Sequence, residues 1–288
     1  MTDIAAAAAP RAGTSDAEIE AAAAQALRRR KRMVLFWRFL ILAVFLGGWE
    51  LAARQEWLDE FFFSKPSSIA IRLWEWITEG TAEGPLWYHL WVTMEEALIG
   101  FFTGSLAGIL VGVALGQNRM LSDVFSIYIK VFNSIPRVVL APIFILIFGL
   151  GLTSKVALSF VMVFFVVFSN AFQGVREADR AMIANARILG ASDWQLTKSV
   201  IVPSAMSWIF ASLHVSFGFA LIGAIVGEFL GARKGMGLLI ATAQGSFDAN
   251  GVFAAMILVA VVALAAEALL TLAERRLIVW RPEEARGD

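Results

Sequence analysis

Long apolar runs separated by short polar segments constrain the folding of this chain more than any other feature. Six runs can be placed, at residues 33–53, 97–116, 138–152, 156–172, 206–230 and 252–272. Most approach the roughly 20 residues that an α-helix needs to cross a bilayer. Mean hydropathy is +0.71, and only 17% of the 288 residues are charged, which is unusual for a soluble domain. The runs therefore predict an all-α, polytopic membrane protein with six transmembrane helices.

The third run is too short to span a bilayer by itself. The preceding segment FSIYIKVFNSIPR can complete it, but Pro136 removes a helical hydrogen bond and interrupts the helix. Irregular backbone at membrane depth is tolerated where it lines a cavity or is buried in protein. Asn133, Ser134, Pro136 and Arg137 are therefore candidates to line a translocation pathway. The alternative is a kink required for packing, with Arg137 reaching an interface.

The distribution of basic residues predicts the orientation of the chain in the membrane. The cluster RRRKR at 28–32 precedes the first run, so the positive-inside tendency places the N-terminus in the cytoplasm. After the first run, the predicted inner segments carry nine Lys and Arg residues and the outer ones carry six. Six spans also place the C-terminus inside. We therefore predict a cytosolic N-terminal tail (1–32), a transmembrane domain (33–279) and a cytosolic C-terminal tail (280–288).

Composition excludes several classes of function. The chain has no cysteine and two histidines, so it offers no thiolate metal site and no H-E-x-x-H zinc site. No G-x-x-x-x-G-K-[ST] phosphate loop occurs, and clustered nucleophiles or bases are lacking. The balanced charge gives no reason to expect nucleic acid as a partner. We predict no catalytic residue, no metal and no cofactor in this chain, so any ATP hydrolysis must occur on another subunit.

The outer segment 54–96 contains a predicted helix that lies along the membrane surface. SKPSSIAIRLWEWI begins with Ser and Pro and continues with apolar residues at helical spacing. Aromatic rings favour the headgroup level of a bilayer. Five aromatic residues predict this location: Trp74, Trp76, Trp87, Tyr88 and Trp91.

The second run carries glycines four residues apart, at Gly100, Gly104, Gly108, Gly112 and Gly116. Such a stripe lets the backbone of a neighbouring helix approach closely. Static helix packing is one interpretation, and a surface on which helices slide during transport is the other.

The polar segment 177–202 has the pattern of two short helices at the cytoplasmic surface. Gly190 can adopt the left-handed conformation that ends the first helix. Ser192 and Gln195 form a capping-box pattern that starts a second helix at Asp193. Pro203 suits the first turn of the following span. The pair of helices either covers the membrane face or, because its corner is built of small residues, lets another protein approach.

This segment resembles the coupling loop of importer-type ABC transporter permeases. The family pattern E-A-A-x-x-x-G followed by I-x-L-P reads here as Ala184-Asn185-Ala186, Gly190 and VIVP, with Ala184 in place of the glutamate. The resemblance identifies 177–202 as the coupling loop. It implies a set of residues that contact an ATPase subunit, namely Ala184, Asn185, Ala186, Arg187, Gly190, Ala191, Ser192 and Trp194.

The resemblance extends over about residues 61–240. SIPRVVLAPIFILIFGLG, LGASDWQLTKSVIVPSA and IVGEFLGARKGMGLLI are similar to segments of the nitrate/sulfonate/taurine permease branch. It implies a type I importer permease in the bacterial inner membrane. This non-catalytic subunit would form a homodimer, with ATP and magnesium on two ATPase subunits. A periplasmic or lipid-anchored binding protein would deliver a small solute such as nitrate, a sulfonate, taurine or a related organic acid. An ion-coupled secondary transporter that needs no ATPase remains the alternative.

Two ionisable residues of the fifth span are further pathway candidates. Ionisable groups inside a membrane are costly, so each is a functional hypothesis by default. His214 lies toward the cytoplasmic side and can remain neutral with one hydrogen bond. Glu228 lies in GEFLGA, which resembles the family segment AE-L-GA. A structural role as the cap of the fifth span is the alternative for Glu228.

Overall fold

A computed structural model of the protein describes residues 16–277, which are almost entirely helical. The helices are α1 (Asp16–Arg54), α2 (Glu60–Phe63), α3 (Pro66–Thr78), α4 (Leu86–Gln117), α5 (Arg119–Ser134), α6 (Ala141–Phe148), α7 (Leu152–Arg176), α8 (Arg180–Ile188), α9 (Asp193–Leu196), α10 (Val202–Gly231), α11 (Met236–Gly245) and α12 (Ala249–Leu277). A 3₁₀ turn (Arg137–Leu140) precedes α6, and a π turn (Thr197–Ile201) joins α9 to α10.

Two compact units divide after Ser67. In the first unit, α1 contains the predicted first span and continues toward the N-terminus through the basic cluster to Asp16. Glu50 accepts hydrogen bonds from the Ser67 N–H at 3.0 Å and from the Ser67 hydroxyl and Arg54 Nε, each at 2.8 Å. This carboxylate satisfies a free N–H in the first turn of α3. Residues 1–15 of the predicted N-terminal tail and all of the predicted C-terminal tail lie outside the described residues.

The core of the second unit is formed by α4, α7 and α10. Apolar side chains from all three helices pack into one buried cluster: Ala97, Phe101, Val163, Val167, Phe217, Ala220, Leu221 and Ala224. A second cluster toward the other end of α7 joins this helix to the π turn and the start of α10, and consists of Ala171, Val175, Leu196, Ile201, Ala205 and Ile209. The helices with the longest apolar stretches thus pack along most of their length.

The glycine stripe of α4 lies directly against α7. A methyl group built on Gly104, Gly108, Gly112 or Gly116 would lie 2.8 or 2.9 Å from an atom of α7, which is closer than van der Waals contact. Only glycine allows the two backbones to approach this closely. The contact favours the packing interpretation of the stripe, because every glycine in it is covered by the same neighbouring helix.

The register of this contact shows that α4 and α7 are parallel. Gly104 faces Phe160 and Gly116 faces Val175, so both sequences advance in the same direction. Parallel membrane helices start on the same side, so the chain must cross back between Gln117 and Leu152. The bent pair formed by α5 and residues 137–148 provides this crossing, with an angle of 81° between its halves. The bend occurs at Pro136, as predicted. With this bent pair counted as one span, the number of spans is six.

The fifth span begins earlier than the predicted run. Asp193–Gly231 forms one apolar helix of 39 residues that includes the π turn. The interpretation of the second short helix as a separate arm is therefore wrong, because α9 continues into α10. Pro203 lies inside this continuous helix, where its ring would clash with the carbonyl of Ser199. The π turn contains Ser199 and changes the local hydrogen-bond pattern at this point.

The predicted surface helix of the outer segment is shorter than expected. Trp74 and Trp76 lie on α3, but Trp87, Tyr88 and Trp91 lie on the first turns of α4. α4 starts at Leu86, eleven residues before the apolar run, because polar residues there are buried by contacts within the protein. Sequence hydropathy does not register such residues as part of a span.

Substitution of Gly108 by alanine should destabilise the protein. The added methyl would lie 2.9 Å from Phe168 N and 3.0 Å from Phe164 O, so α4 and α7 would have to separate. Overpacking of this kind costs about 1–3 kcal/mol. We expect a lower unfolding temperature of the purified protein in detergent.

Gly218→Ala is the matched control, since this glycine also lies within a membrane helix but has nothing within 4 Å of the added methyl. Equal unfolding temperatures for the two variants would contradict the packing role of the stripe.

Candidate functional site

The corner between α8 and α9 is a Schellman motif centred on Gly190. Gly190 has φ 83°, and its N–H donates to the Arg187 carbonyl at 3.0 Å. The Ala191 N–H donates to the Ala186 carbonyl at 3.0 Å. These two bonds satisfy carbonyls at the end of α8, and the positive φ favours glycine at position 190. The predicted conformation of Gly190 is confirmed.

The start of α9 is fixed by the predicted capping box. Ser192 Oγ accepts from the Gln195 N–H at 3.3 Å, and Gln195 Oε1 accepts from the Ser192 N–H at 2.9 Å. Thr197 Oγ1 lies 3.0 Å from Gln117 Oε1 at the end of α4. This contact places the corner at the same side of the membrane as the C-terminal end of α4.

The corner exposes apolar side chains although it is surrounded by polar residues. Exposed fractions are 82% for Ile188, 86% for Leu189 and 73% for Trp194. Leu196 and Ile201 are buried on the other side, against α7 and α10. The predicted coupling residues lie together around this corner. Ala184, Asn185, Arg187, Gly190, Ser192 and Trp194 are exposed, and Ala186 and Ala191 are half-buried.

Sequence reasoning did not select Ile188 and Leu189 for the coupling surface, because hydropathy alone cannot tell an exposed leucine from a buried one. The Schellman motif directs this end of α8 outward. We refer below to the exposed apolar residues Ile188, Leu189 and Trp194 as the docking corner.

The predicted residues at the bend form a small polar cluster. Arg137 donates to Asn133 Oδ1 at 2.6 Å, and Asn133 Nδ2 donates to Ser169 Oγ at 3.1 Å on α7. The guanidinium carbon of Arg137 also lies 5.2 Å from the centre of the Phe165 ring. Ser134 instead donates to the Lys130 carbonyl within its own helix. The bend therefore holds a cation between α5 and α7.

His214 and Glu228 do not join that cluster, and they lie far from each other. Fourteen residues of helix separate them, which corresponds to roughly 21 Å along the axis. His214 Nε2 lies 2.8 Å from Glu274 Oε2 near the end of α12. The expected hydrogen bond of His214 is thus made with a carboxylate. The predicted pathway residues fall into three separate places along the membrane helices.

Glu228 is buried at the outer end of α10 and has several hydrogen-bond donors. Thr93 Oγ1 on α4 donates to Glu228 at 2.7 Å from Oε1 and 3.0 Å from Oε2. The Gly237 N–H donates to Glu228 Oε2 at 2.7 Å. A buried carboxylate needs such donors, since an unpaired charge in this environment is strongly unfavourable. Glu228 therefore joins α4, α10 and the start of α11.

The turn that precedes α11 is held by the same residues of α4. The Met236 N–H donates to Thr93 Oγ1 at 2.8 Å, and the Gly235 N–H donates to His89 Nδ1 at 3.1 Å. Gly235 has φ 107°, and a methyl group on it would overlap the Glu228 carboxyl. We call His89, Thr93, Glu228 and the backbone of 235–237 the outer clamp.

Two further ionisable residues lie beside the outer clamp. Glu96 lies three residues after Thr93 on α4, and Lys155 at the start of α7 donates to the Leu150 carbonyl. Both side chains are buried. Sequence analysis missed Thr93, Glu96 and Lys155 because all three lie just outside the apolar runs. The sequence signal that could have found them is that each lies within about one helical turn of the start of an apolar run.

An open cavity of about 560 Å³ borders these residues. Its lining comes from the outer ends of α4 and α7 and from the turn after α10, and includes Glu95, Glu96, Lys155, Arg233 and Lys234. The volume lies within the range of small-molecule sites, about 300–1,000 Å³. The cavity therefore joins a buried charged cluster to the outer surface.

Substitution of Thr93 by valine should weaken the outer clamp. The isosteric change removes a donor to Glu228 and an acceptor for the Met236 N–H, and each unsatisfied buried group costs about 1–3 kcal/mol. We expect a lower unfolding temperature and, in a Met236→Cys background, faster maleimide labelling of position 236. The chain has no other cysteine to react.

Thr103→Val on the same helix is the control, because the Thr103 hydroxyl is exposed and bonds only carbonyls of its own helix. Labelling that is equally slow in both variants would exclude the clamp as the element that holds the turn.

Comparison with known proteins places these features in a family. Residues 104–279 match the family described as binding-protein-dependent transport system inner membrane component. The riboflavin transport system permease protein RibX of Chloroflexus aurantiacus is 33% identical over 83% of this chain and 88% of its own length. The putative aliphatic sulfonates transport permease protein SsuC of Bacillus subtilis is 30% identical over 90% of this chain and 93% of its own length. The taurine transport system permease protein TauC of Escherichia coli is 28% identical over 84% and 88%.

Solved structures show the same fold at lower identity. A chain of the MetNI methionine ABC transporter in an inward-facing conformation aligns with a TM-score of 0.57 at 20% identity, and the alignment covers 67% of this chain and 95% of that chain. A chain of an amino acid ABC transporter aligns with a TM-score of 0.53 at 22% identity, over 66% and 92%. The protein therefore belongs to the binding-protein-dependent transport system inner membrane components and is a multi-pass permease subunit of an ABC importer of the bacterial inner membrane.

Proposed function

We propose that this permease works as a homodimer that imports a small organic anion of the sulfonate class. Two separate ATPase subunits bind ATP and magnesium and drive the cycle, and a periplasmic or lipid-anchored binding protein delivers the solute. The chain itself carries out no covalent chemistry. Family membership supports these partners, because importers of this family depend on a binding protein by definition.

The docking corner is the observation that carries this proposal. Exposed apolar patches on soluble surfaces mark sites of protein contact. Ile188, Leu189 and Trp194 are more than two thirds exposed. The first two precede the Schellman turn at Gly190, and Trp194 follows it. An ATPase subunit that covers this corner would bury the three side chains. Ala184 replaces the family glutamate, so the shape of the corner rather than a charge would make the contact.

A continuous helix connects the docking corner to the outer clamp. Trp194 lies near the first residue of the helix Asp193–Gly231, and Glu228 lies near its last. Leu196 and Ile201 pack against α7 and α10, so the helix moves together with the core rather than as a free end. A displacement of the corner by the ATPase would thus be transmitted to the outer end of the pathway.

Cationic side chains on the membrane helices and in the turns between them support an anionic solute. Arg137 lies at the bend of the third span, and Lys155, Arg233 and Lys234 line the outer cavity. Relatives named as permeases for aliphatic sulfonates and taurine agree with this class, whereas those named for riboflavin and formylaminopyrimidine show that the family also serves other solutes.

Reconstituted vesicles separate the proposal from an ion-coupled secondary transporter. The permease with its ATPase and binding protein should accumulate a labelled sulfonate only when ATP is supplied on the ATPase side. Uptake by the permease alone, driven by an ion gradient, would overturn the proposed function.

Substitution of Gly190 by arginine should uncouple ATP hydrolysis from uptake. The positive φ at 190 disfavours residues with a Cβ by roughly 1–2 kcal/mol, and the long side chain would stand at the docking corner. We expect normal membrane insertion, continued ATP hydrolysis and at least about tenfold slower uptake, which corresponds to about 1.4 kcal/mol of activation free energy.

Gly149→Arg is the control for backbone strain and added charge. Gly149 also has a positive φ, of 75°, and also has nothing within 4 Å of an added methyl, but it lies at the end of α6 in an outer turn. Loss of coupling in both variants, or in neither, would remove the docking role from the corner.

A further inference from the structure

The first and the last membrane helix each carry a charged residue inside the span. Arg38 on α1 lies five residues from the cytoplasmic end of the run 33–53, and Glu267 on α12 lies five residues from the cytoplasmic end of the run 252–272. With six spans, these two helices cross the membrane in opposite directions. Both positions therefore lie at the same depth, about 7.5 Å from the cytoplasmic ends of the runs at the rise of an α-helix.

Neither charge has a partner within its own helix. Opposite charges pair along a helix when they lie three or four residues apart. Every position at that spacing is uncharged, namely Val34, Leu35, Ile41, Leu42, Ala263, Leu264, Leu270 and Thr271. Arg38 and Glu267 are both exposed, and neither takes part in an ion pair among the residues that the structure describes. Because charges inside a membrane are costly and pair with one another, we expect a partner from outside the chain.

The two charged residues lie on apolar helix faces that the chain leaves uncovered. None of the most apolar 18 residues of α1 is buried, and 11% of those of α12 are buried, compared with 33–44% in the other three long spans that the structure describes. Ile41 shares the face of Arg38 and is 66% exposed, and Leu264 shares the face of Glu267 and is 67% exposed. Each face offers the other both an apolar surface and the opposite charge.

A lipid headgroup satisfies only one of the two charges. The long side chain of Arg38 can reach a phosphate at the interface. The carboxylate of Glu267 is attached to a shorter side chain, which does not span the distance of about 7.5 Å to the end of the run. Its partner must therefore carry a cation into the membrane, and a second copy of the chain supplies one at this depth.

We propose that α1 of one subunit packs against α12 of a second copy of the chain, with Arg38 paired to Glu267 of the partner subunit. Two-fold symmetry forms this pair twice, once on each side of the dimer. The inference rests on the homodimer of the proposed function and names a surface that joins its subunits.

Cysteine cross-linking of the full-length permease tests the contact, since the chain has no cysteine of its own. Ile41→Cys and Leu264→Cys leave both charges intact, and each lies three residues from its charge toward the outer side, so the two positions face each other in an antiparallel pair. The two variants carry different affinity tags and are co-expressed, and the membranes are treated with a short bis-maleimide. We expect a cross-linked dimer with both tags. Absence of this dimer, or bridging only within single chains of the double variant, would refute the contact.

Ala43→Cys is the matched control on α1. It is exposed at a similar depth, but two residues correspond to a rotation of about 200° from position 41. Because opposite faces of a helix cannot contact the same neighbour, its yield with Leu264→Cys should be at least about tenfold lower. Equal yields at positions 41 and 43 would show random collision instead of a defined contact.

Charge reversal tests the ion pair itself. Arg38→Glu or Glu267→Arg alone places like charges in the contact, so each should lower the yield of the 41–264 cross-link at least about tenfold. The double reversal restores opposite charges and should return the yield to within about twofold of the parent. No recovery in the double reversal contradicts the pair. A loss caused by Arg38→Glu but not by Glu267→Arg assigns Arg38 to a lipid phosphate instead.

The mass of the purified complex with its ATPase subunits, measured by light scattering, separates failure of this contact from failure of the proposed function. Two copies of the permease without the 41–264 cross-link refute only the contact between α1 and α12. A single copy refutes the homodimer, and absence of ATP-dependent uptake refutes the transport proposal.

Discussion

The close contact between α4 and α7 is the constraint on which the second unit depends. Without a hydrophobic driving force inside the bilayer, membrane helices associate through van der Waals packing, and small residues make that packing close. The glycines from Gly100 to Gly116 face Ser159 to Val175 in register. This register makes the two helices parallel and forces the intervening chain to cross the membrane. It also brings the outer ends of α4 and α7 together, where Glu96 and Lys155 line the same cavity.

Features that depend on local chemistry could be predicted from the sequence. The apolar runs, the bend at Pro136, the left-handed Gly190 and the capping box of Ser192 and Gln195 each follow from a few neighbouring residues. The structure agrees at all four places. Span boundaries were less accurate, because Leu86–Ala97 and Asp193–Ser204 are helical owing to contacts that hydropathy does not record.

The outer clamp and the charged cavity could not be predicted from sequence alone. Thr93, Glu96, Lys155 and Glu228 come from three helices, and the register of those helices decides whether they meet. The family segment points to Glu228 itself. Its role in the structure depends on two hydrogen-bond donors, the Gly237 N–H and the Thr93 hydroxyl, which lie 9 and 135 residues away in the sequence. The same rule for ionisable residues identifies His214, which lies near the middle of α10 beside Glu274 of α12. The expectation that an ionisable residue inside a span is functional therefore applies to two residues with different partners, the outer clamp for Glu228 and Glu274 for His214.

The π turn at 197–201 determines which faces of the long helix point outward at its two ends. A π turn accommodates an additional residue relative to an α-helical turn, and one residue corresponds to a rotation of about 100° around the helix axis. The π turn therefore changes the direction in which Trp194 points around the helix axis, relative to the residues that follow the turn. With this offset, Trp194 is exposed while Ile201, Ala205 and Ile209 pack into the core. The widened turn sets the direction in which the cytoplasmic end of the helix presents its side chains.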